Sequence, residues 1–145
     1  MTTSFYSRNK RASGARQYAQ VGLESQILAA RPEQLINLLF QGARTAVKKA
    51  RIHLKNDDIA QRGSMISKAV DIVDTGLKAA VNKEIGGDVS AHLIDSYDLI
   101  VYHLLQANIT ADESHLNTAD TMLSNLHDAW NEAVRLAQNQ ATTVY

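Results

Sequence analysis

The sequence contains no cysteine, one proline and only two phenylalanines among its 145 residues. The absence of cysteine excludes a disulfide framework and thiolate chemistry, and it fits a reducing compartment. Fifteen basic and fifteen acidic side chains cancel, so net charge gives no argument for binding nucleic acid or an anionic membrane. No apolar run approaches the ~20 residues of a membrane span, so stable membrane insertion is not expected. We therefore expect one cytoplasmic domain that buries a core without cross-links.

The N-terminus carries a local excess of positive charge. From Met1 to Leu23 there is no carboxylate, whereas Arg8, Lys10, Arg11 and Arg16 are basic. No apolar region follows these charges, so the stretch is not a signal peptide. It is either a solvated, disordered end or an arm that contacts an acidic partner. A weak helical stretch follows, and residues 1–30 are predicted to form a flexible arm with a cap segment. The expected cap residues are Tyr18, Val21, Ile27 and Leu28.

Turn and capping residues divide the rest of the chain into four helical segments. Pro32 suits the first turn of a helix, Asn56-Asp57-Asp58 supplies a break with N-cap candidates, and Gly86-Gly87-Asp88 is the strongest turn signal. The helices are expected at Pro32 to about Lys55, Ile59 to about Lys83, about Asp88 to Ile109, and after the cap at 110–114 to about Gln138. Because the connections are short, neighbouring helices should be antiparallel. The predicted fold is all-α, an antiparallel up-down-up-down four-helix bundle over residues 31–138 with a short N-terminal cap segment and a disordered tail at 139–145.

The apolar stripes of the four helices differ in width. The fourth has a narrow seam of alternating three- and four-residue spacings, made by Leu116, Ala119, Leu123, Leu126, Trp130, Ala133 and Ala137. Its opposite side, which includes Asp120, is expected in solvent. The second helix has a seam made by Ile59, Ile66, Val70, Val73, Leu77 and Ala80, with a second row at Met65, Ile72 and Ala79. The first and third helices carry apolar residues beyond their core stripes, namely Leu38, Phe40, Leu99 and Tyr102. Either these are well-buried bundle helices, or the surplus face forms a groove for the N-terminal segment or another polypeptide.

Asn108 falls inside the apolar stripe of the third helix, seven residues after Val101. A buried amide left unpaired costs ~1–3 kcal/mol, so Asn108 needs a partner. The partner is expected to be a helix-terminal or inter-helix group, or a bound peptide.

The sequence contains no recognisable catalytic or metal-binding constellation. The five histidines are dispersed, and the nearest approach to a di-metal motif is Asp112-x-x-His115 at a helix start. His53-Leu54-Lys55 has a three-residue similarity to histidine phosphotransfer bundles, but Asn56 stands where those proteins have glycine. We expect neither a cofactor nor a bound metal, and no enzymatic activity.

A set of short motifs, in order along the four helices, resembles the family of flagellar secretion chaperones called FliS. The matching stretches are Arg31-Pro-Glu-Gln-Leu35, Leu39-Phe-Gln-Gly-Ala43, Lys68-Ala69 with Asp71-Ile72, Gly86-Gly87-Asp88, Leu93 with Tyr97-Asp98, Leu105-Gln-Ala-Asn108, and Trp130. The chain departs from the family pattern at His92, where members usually have asparagine, and at Leu99, where they often have an aromatic residue.

The resemblance implies a function as well as a fold. FliS proteins are antiparallel four-helix bundles with an N-terminal cap, and they bind the disordered C-terminal segment of flagellin along apolar grooves. They prevent its premature polymerisation in the cytoplasm and deliver it to the export gate of the type III apparatus. Candidate flagellin-binding residues here are Leu38, Phe40, Tyr97, Val101, Tyr102, Leu105 and Asn108. A weak homodimer through empty grooves is compatible with this role. The alternative is a structural helical homo-oligomer, or another helical adaptor, that does not bind flagellin.

Overall fold

A computed structural model describes residues 31–84 and 87–143. The chain divides between Leu35 and Ile36 into two units, and residues 31–35 are the described part of the first. The expected cap residues Tyr18, Val21, Ile27 and Leu28 lie outside the described residues, as does the basic arm. The division into arm, bundle and tail therefore stays a prediction.

Four helices follow one another along the described chain. They are α1 (Pro32–Lys55), α2 (residues 59–84), α3 (Asp88–Thr110) and α4 (Glu113–Thr143). No strand occurs within 31–84 and 87–143, and the prediction of an all-α fold is confirmed. The expected end of α4 near Gln138 was wrong, because the helix continues to Thr143. Residues 139–143 contain neither glycine nor proline, so nothing in their sequence stops the helix.

Capping residues set the ends of these helices. Asp58 caps α2, since its Oδ1 accepts a hydrogen bond from the Gln61 amide at 3.1 Å. Asp112 serves α4 in the same way by accepting from the Ser114 amide at 2.9 Å. Gly87 precedes α3 with a φ of +81°, and Ala111 ends α3 in the left-handed region. With Pro32 as the first residue of α1, each of the four helices starts at the kind of residue that predicted its start.

The middle of α2 is a wide turn. Its α-helical part Ile59–Asp71 passes into a π-helical segment, Ile72–Leu77, and then into the α-helical part Lys78–Glu84. The Lys78 amide bonds the Val73 carbonyl, five residues back. The buried residues here repeat every four positions, at Ala69, Val73, Leu77 and Val81. In a regular helix each such step would turn the stripe by about 40°, and the wide turn absorbs most of that rotation.

Contacts between side chains fix the order of the helices. Each helix meets its neighbours through Leu39 against Gly76, Lys78 with Asp98, His103 with His115, and Arg51 with Asp120. The rings of Phe40 and Tyr97, on α1 and α3, meet across the diagonal with centroids 6.4 Å apart. A second pair at three of these interfaces gives the direction: Gly42 lies against Ile72, Arg62 bonds Asn108, and Arg44 bonds His127. At each interface the partner's residue number falls as the number along the first helix rises, so neighbouring helices are antiparallel and the bundle is up-down-up-down, as predicted.

The core lies between all four helices. It is made by Phe40, Ala43, Ala46, Val47 and Ala50; Ile66, Ala69, Val73, Leu77 and Val81; Tyr97, Ile100, Leu104 and Ala107; and Leu116, Ala119 and Leu123. Two of the predicted core seams include residues that are exposed in the structure. Ile59 is 68% exposed because it is the first residue of α2 at the end of the bundle, and Ala133 and Ala137 are exposed on α4. Asp120 was expected in solvent, yet it is half-buried against Arg51.

Candidate partner-binding surface

The outer side of α3 is the most apolar exposed helix face in the described part of the chain. Leu99, Tyr102, Leu105 and Ile109 are between 46% and 76% exposed. At about 100° per residue, these four side chains lie opposite the buried row that includes Ile100 and Leu104. The predicted surplus of apolar face on the third helix is therefore present.

One edge of this face borders α2. We call Val101, Tyr102, Leu105 and Ile109 the α3 strip, because they lie within about 100° of one another around the helix. Gly63 of α2 stands beside it, and a side chain built there would meet only the Asn108 amide, at 3.7 and 4.0 Å. Because glycine has no side chain, α2 leaves open space beside the strip at this position. On the opposite edge of α3, His103 meets His115 of α4, and Leu99 lies on that side of the helix.

Polar contacts bracket the strip at both ends. Lys78 Nζ of α2 donates to Asp98 Oδ1 of α3 at 2.7 Å, and this bond raises the pKa of the Lys78 amine. At the other end, Nη2 of the buried Arg62 donates to the Asn108 carbonyl oxygen at 3.2 Å. Asp98 and Asn108 are about 15 Å apart along α3 at 1.5 Å per residue. A helical partner segment of about ten residues matches that length.

Two of the predicted binding residues belong to the core. Phe40 is 2% exposed and Tyr97 is 4% exposed, and burial raises the pKa of the Tyr97 phenol to about 12. A side chain with almost no accessible surface gives no area to a partner, so we withdraw these two as contacts. The sequence pattern placed Phe40 at the edge of a broad stripe, whereas it packs inside between Tyr97 and His127.

The other five candidates are accessible. Val101, Tyr102 and Leu105 come together on the α3 strip, with Val101 half-buried. Leu38 is half-buried on α1 and stands apart from them, beside the α1–α2 contact of Gly42 with Ile72. Asn108 is exposed, which corrects the expectation of a buried amide. It lies in the last turns of α3 opposite Gly63, which has no side chain to cover it.

The family comparison covers this surface entirely. Residues 14–137 match the family described as Flagellar protein FliS. The chain belongs to the FliS family. It is 41% identical over 121 residues to a Salmonella typhimurium protein named flagellar secretion chaperone FliS, covering 83% of this chain and 90% of that one. The Escherichia coli protein of the same name is 32% identical over 123 residues, covering 85% and 90%. A Pseudomonas aeruginosa protein named flagellar secretion chaperone FliSB is 33% identical over 115 residues, covering 79% and 90%.

FliS membership also gives the class of protein. The relatives are named as chaperones, which places the chain in a family of chaperones and not of enzymes. Within 31–84 and 87–143, no group of three or more His, Asp or Glu side chains could hold a metal ion. Over the same residues, no helix has the length and apolar character needed to cross a membrane.

Sequence reasoning missed a polar cluster between α1 and α4 of this FliS-family chain. His127 is 6% exposed, its Nδ1 accepts from Arg44 Nη1 at 3.0 Å, and its Nε2–H donates to Asn37 Oδ1 at 2.6 Å. Burial, and then the Arg44 charge, lower the pKa of His127, while Asp128 opposes them. The available signal was spacing, since His127 follows the buried Leu123 by four residues. Because histidine is polar, the pattern of apolar stripes left His127 out.

Proposed function

We propose that this chain is a cytoplasmic flagellar secretion chaperone that binds the disordered C-terminal segment of flagellin on the α3 strip. The observation that carries the proposal is the row of exposed apolar side chains on α3, bracketed by polar contacts at both ends. Family membership supports it, because the relatives are named for secretion chaperoning. Val101, Tyr102, Leu105, Ile109 and Asn108 are the contacts we expect.

Burial drives the binding. A disordered flagellin segment loses conformational entropy when it orders, and the apolar area that it buries must offset that loss. Leu105 and Ile109 offer the exposed area, and Gly63 leaves room beside them. The Asn108 side chain is accessible and can pair with a backbone group of the segment. ATP is not required by this mechanism, because the favourable free energy comes from contacts made on association.

Binding of flagellin's C-terminal segment by this chain accounts for the chaperone role. A bound segment is not available for polymerisation, and the complex delivers flagellin to a component of the flagellar export gate. The cap residues Tyr18, Val21, Ile27 and Leu28 would cover apolar surface in the free protein. Empty strips would also pair in a weak homodimer, which flagellin should dissociate.

The test is isothermal titration of the full chain with the last ~40–60 residues of flagellin from the same organism, a length suited to a segment that orders on binding. We expect saturable one-to-one binding with a strongly negative heat-capacity change, the signature of apolar burial. Leu105→Ser should weaken binding by about ten- to a hundredfold, the equivalent of one buried leucine.

Leu99→Ser is the matched control. Leu99 and Leu105 are the same residue type on the same helix, 46% and 47% exposed, and they lie about 120° apart around the axis. The control should bind as the unmodified chain does. Equal binding by the two variants would reject the α3 strip, and no binding by the folded unmodified chain would reject the flagellin role.

A further inference from the structure

Arg62 is a buried cation that has no counter-ion in the described part of the chain. It lies on α2 and is only 8% exposed. Nη2 donates to the Asn108 carbonyl oxygen at 3.2 Å, which leaves four of the five guanidinium N–H groups without a partner among residues 31–84 and 87–143. None of the ion pairs within those residues includes Arg62. Because a charge removed from water needs a partner, the chain on its own leaves Arg62 incompletely paired.

One edge of this guanidinium reaches the surface beside the α3 strip. Of its unpaired nitrogens only Nε is buried, so Nη1 keeps accessible surface. The acceptor of Nη2, Asn108, shares the last turns of α3 with the exposed Leu105 and Ile109. Gly63 follows Arg62 on α2 and has no side chain to cover this edge. A segment bound on the strip therefore passes within reach of the guanidinium.

The surroundings of Arg62 are electropositive. Neither residues 59–70 of α2 nor residues 99–111 of α3 contain a carboxylate. The last carbonyls of α3 carry about half an elementary negative charge in total, so they offset only about half of the guanidinium charge. At the other end of the strip, Lys78 and Asp98 neutralise each other. The uncompensated positive charge beside the strip is therefore at the Arg62 end.

On the basis of the flagellin-binding function given above, we propose that Arg62 binds a carboxylate of the segment that occupies the α3 strip. Arginine suits this role because its planar guanidinium can donate two parallel N–H groups to one carboxylate. The carboxylate belongs either to an Asp or Glu side chain of flagellin or to its C-terminus. Since the pair is largely shielded from water, it contributes more to affinity than an exposed ion pair does.

Arg62 also has a structural role, because its hydrogen bond to Asn108 satisfies one of the last carbonyls of α3. A substitution of Arg62 could therefore weaken binding by loosening the end of α3. The two roles differ in their effect on flagellin variants. Loosening of α3 weakens the binding of every variant alike, whereas loss of an ion pair removes the difference between variants that have the carboxylate and those that lack it.

The experiment is a double-mutant cycle across the complex. The full chain and its Arg62→Met, Arg62→Lys and Lys68→Met variants are titrated calorimetrically with the last ~40–60 residues of flagellin. Lys68 is exposed on α2 and has no ion pair among the described residues, so Lys68→Met controls for the loss of one positive charge. The flagellin segment is used unmodified, with each Asp or Glu changed singly to Asn or Gln, and with an amidated C-terminus. Circular dichroism verifies that each variant is folded.

We expect one neutralised segment to bind the unmodified chain and Lys68→Met about 10–100-fold more weakly than the unmodified segment does. Arg62→Met should bind that segment and the unmodified one equally, and Arg62→Lys should keep part of the difference. The identity of the neutralised group distinguishes a side chain from the C-terminus. A difference of the same size in Arg62→Met would overturn the proposal. If Arg62→Met does not fold, equal binding of all the segments by the unmodified chain would overturn it as well.

Binding of the unmodified segment by the unmodified chain separates this inference from the flagellin role. Saturable binding without coupling to Arg62 would reject the carboxylate contact and leave the chaperone function in place. No binding by the folded, unmodified chain would reject the flagellin role and the carboxylate contact with it.

Discussion

The His127 imidazole stacks on the Phe40 ring, with centroids 5.1 Å apart and ring planes inclined by 11°. The stack joins the polar cluster between α1 and α4 to the apolar core. On its core side Phe40 contacts Tyr97, and on the other side His127 is held by Asn37 and Arg44. Its two hydrogen bonds fix the tautomer that carries hydrogen on Nε2, so this imidazole acts as a structural group in its neutral form.

The first prediction concerns pH. The fold lowers the pKa of His127 below its ordinary value of 6.5, so the folded chain binds a proton less readily than the unfolded chain does. The stabilising contribution of neutral His127 is complete above that ordinary value and is lost as the pH falls through the lower, folded pKa. Urea unfolding of the unmodified chain and of His127→Gln between pH 8 and 5 should give stability curves that converge on acidification. A constant separation would contradict this assignment.

A second prediction separates core from contact residues. Phe40→Ala should lower the free energy of unfolding by about 3–5 kcal/mol, because a fully buried aromatic ring is removed and a cavity remains. Phe40→Leu should cost less. At a temperature where Phe40→Leu stays folded, its affinity for the flagellin segment should equal that of the unmodified chain. A stable Phe40→Leu protein with reduced affinity would restore Phe40 as a contact.

Two helical glycines give a third prediction. Gly63→Ala should stabilise the fold by about 0.5–1 kcal/mol, because alanine favours helix and its Cβ would be 3.7 Å from Asn108 Oδ1, an ordinary contact. At Gly76 the new Cβ would be 3.1 Å from Leu39 Cδ2, so Leu39 must move and the gain should be lost. Thermal unfolding of both variants tests the difference. Equal stabilisation would show that the α1–α2 contact yields easily.

The fourth prediction concerns the ion pair of Arg51 and Asp120. Their side chains are 26% and 23% exposed, and Arg51 Nη2 donates to Asp120 Oδ2 at 3.1 Å. Arg51→Met leaves a half-buried carboxylate without its counter-ion, so it should be more destabilising than the Arg51→Met/Asp120→Asn double variant. A double-mutant cycle from urea unfolding measures the coupling. Additive effects would mean that the pair contributes no net stability.

The starts of the helices and their topology were predictable from the sequence because each depends on local chemistry. Pro32, Asp58 and Gly87 act at the helix ends where their types suggest. Because the connections are short, neighbouring helices are expected to be antiparallel. Exposure on α3 was likewise visible, since the apolar residues exceed what one core-facing stripe can hold.

The errors came from assuming one uniform rotation per residue and from treating polarity as exposure. At 100° per residue Ala80 falls in the core seam of α2, but the wide turn brings in Val81 instead. His127 and Asp120 are polar and yet buried or half-buried, because each has a hydrogen-bond partner on α1. Such pairings join residues far apart in sequence, so a local sequence pattern does not predict them.

The wide turn in α2 has a consequence for how the sequence is compared with others. A π-helical segment acts as about one inserted residue in an otherwise regular helix. A relative whose second helix is α-helical throughout would match both halves of α2 only if one position within Ile72–Leu77 stood opposite a gap. Deleting one residue inside the segment should therefore preserve which side chains face inward, whereas deleting one elsewhere in α2 would rotate everything beyond it out of phase with the core.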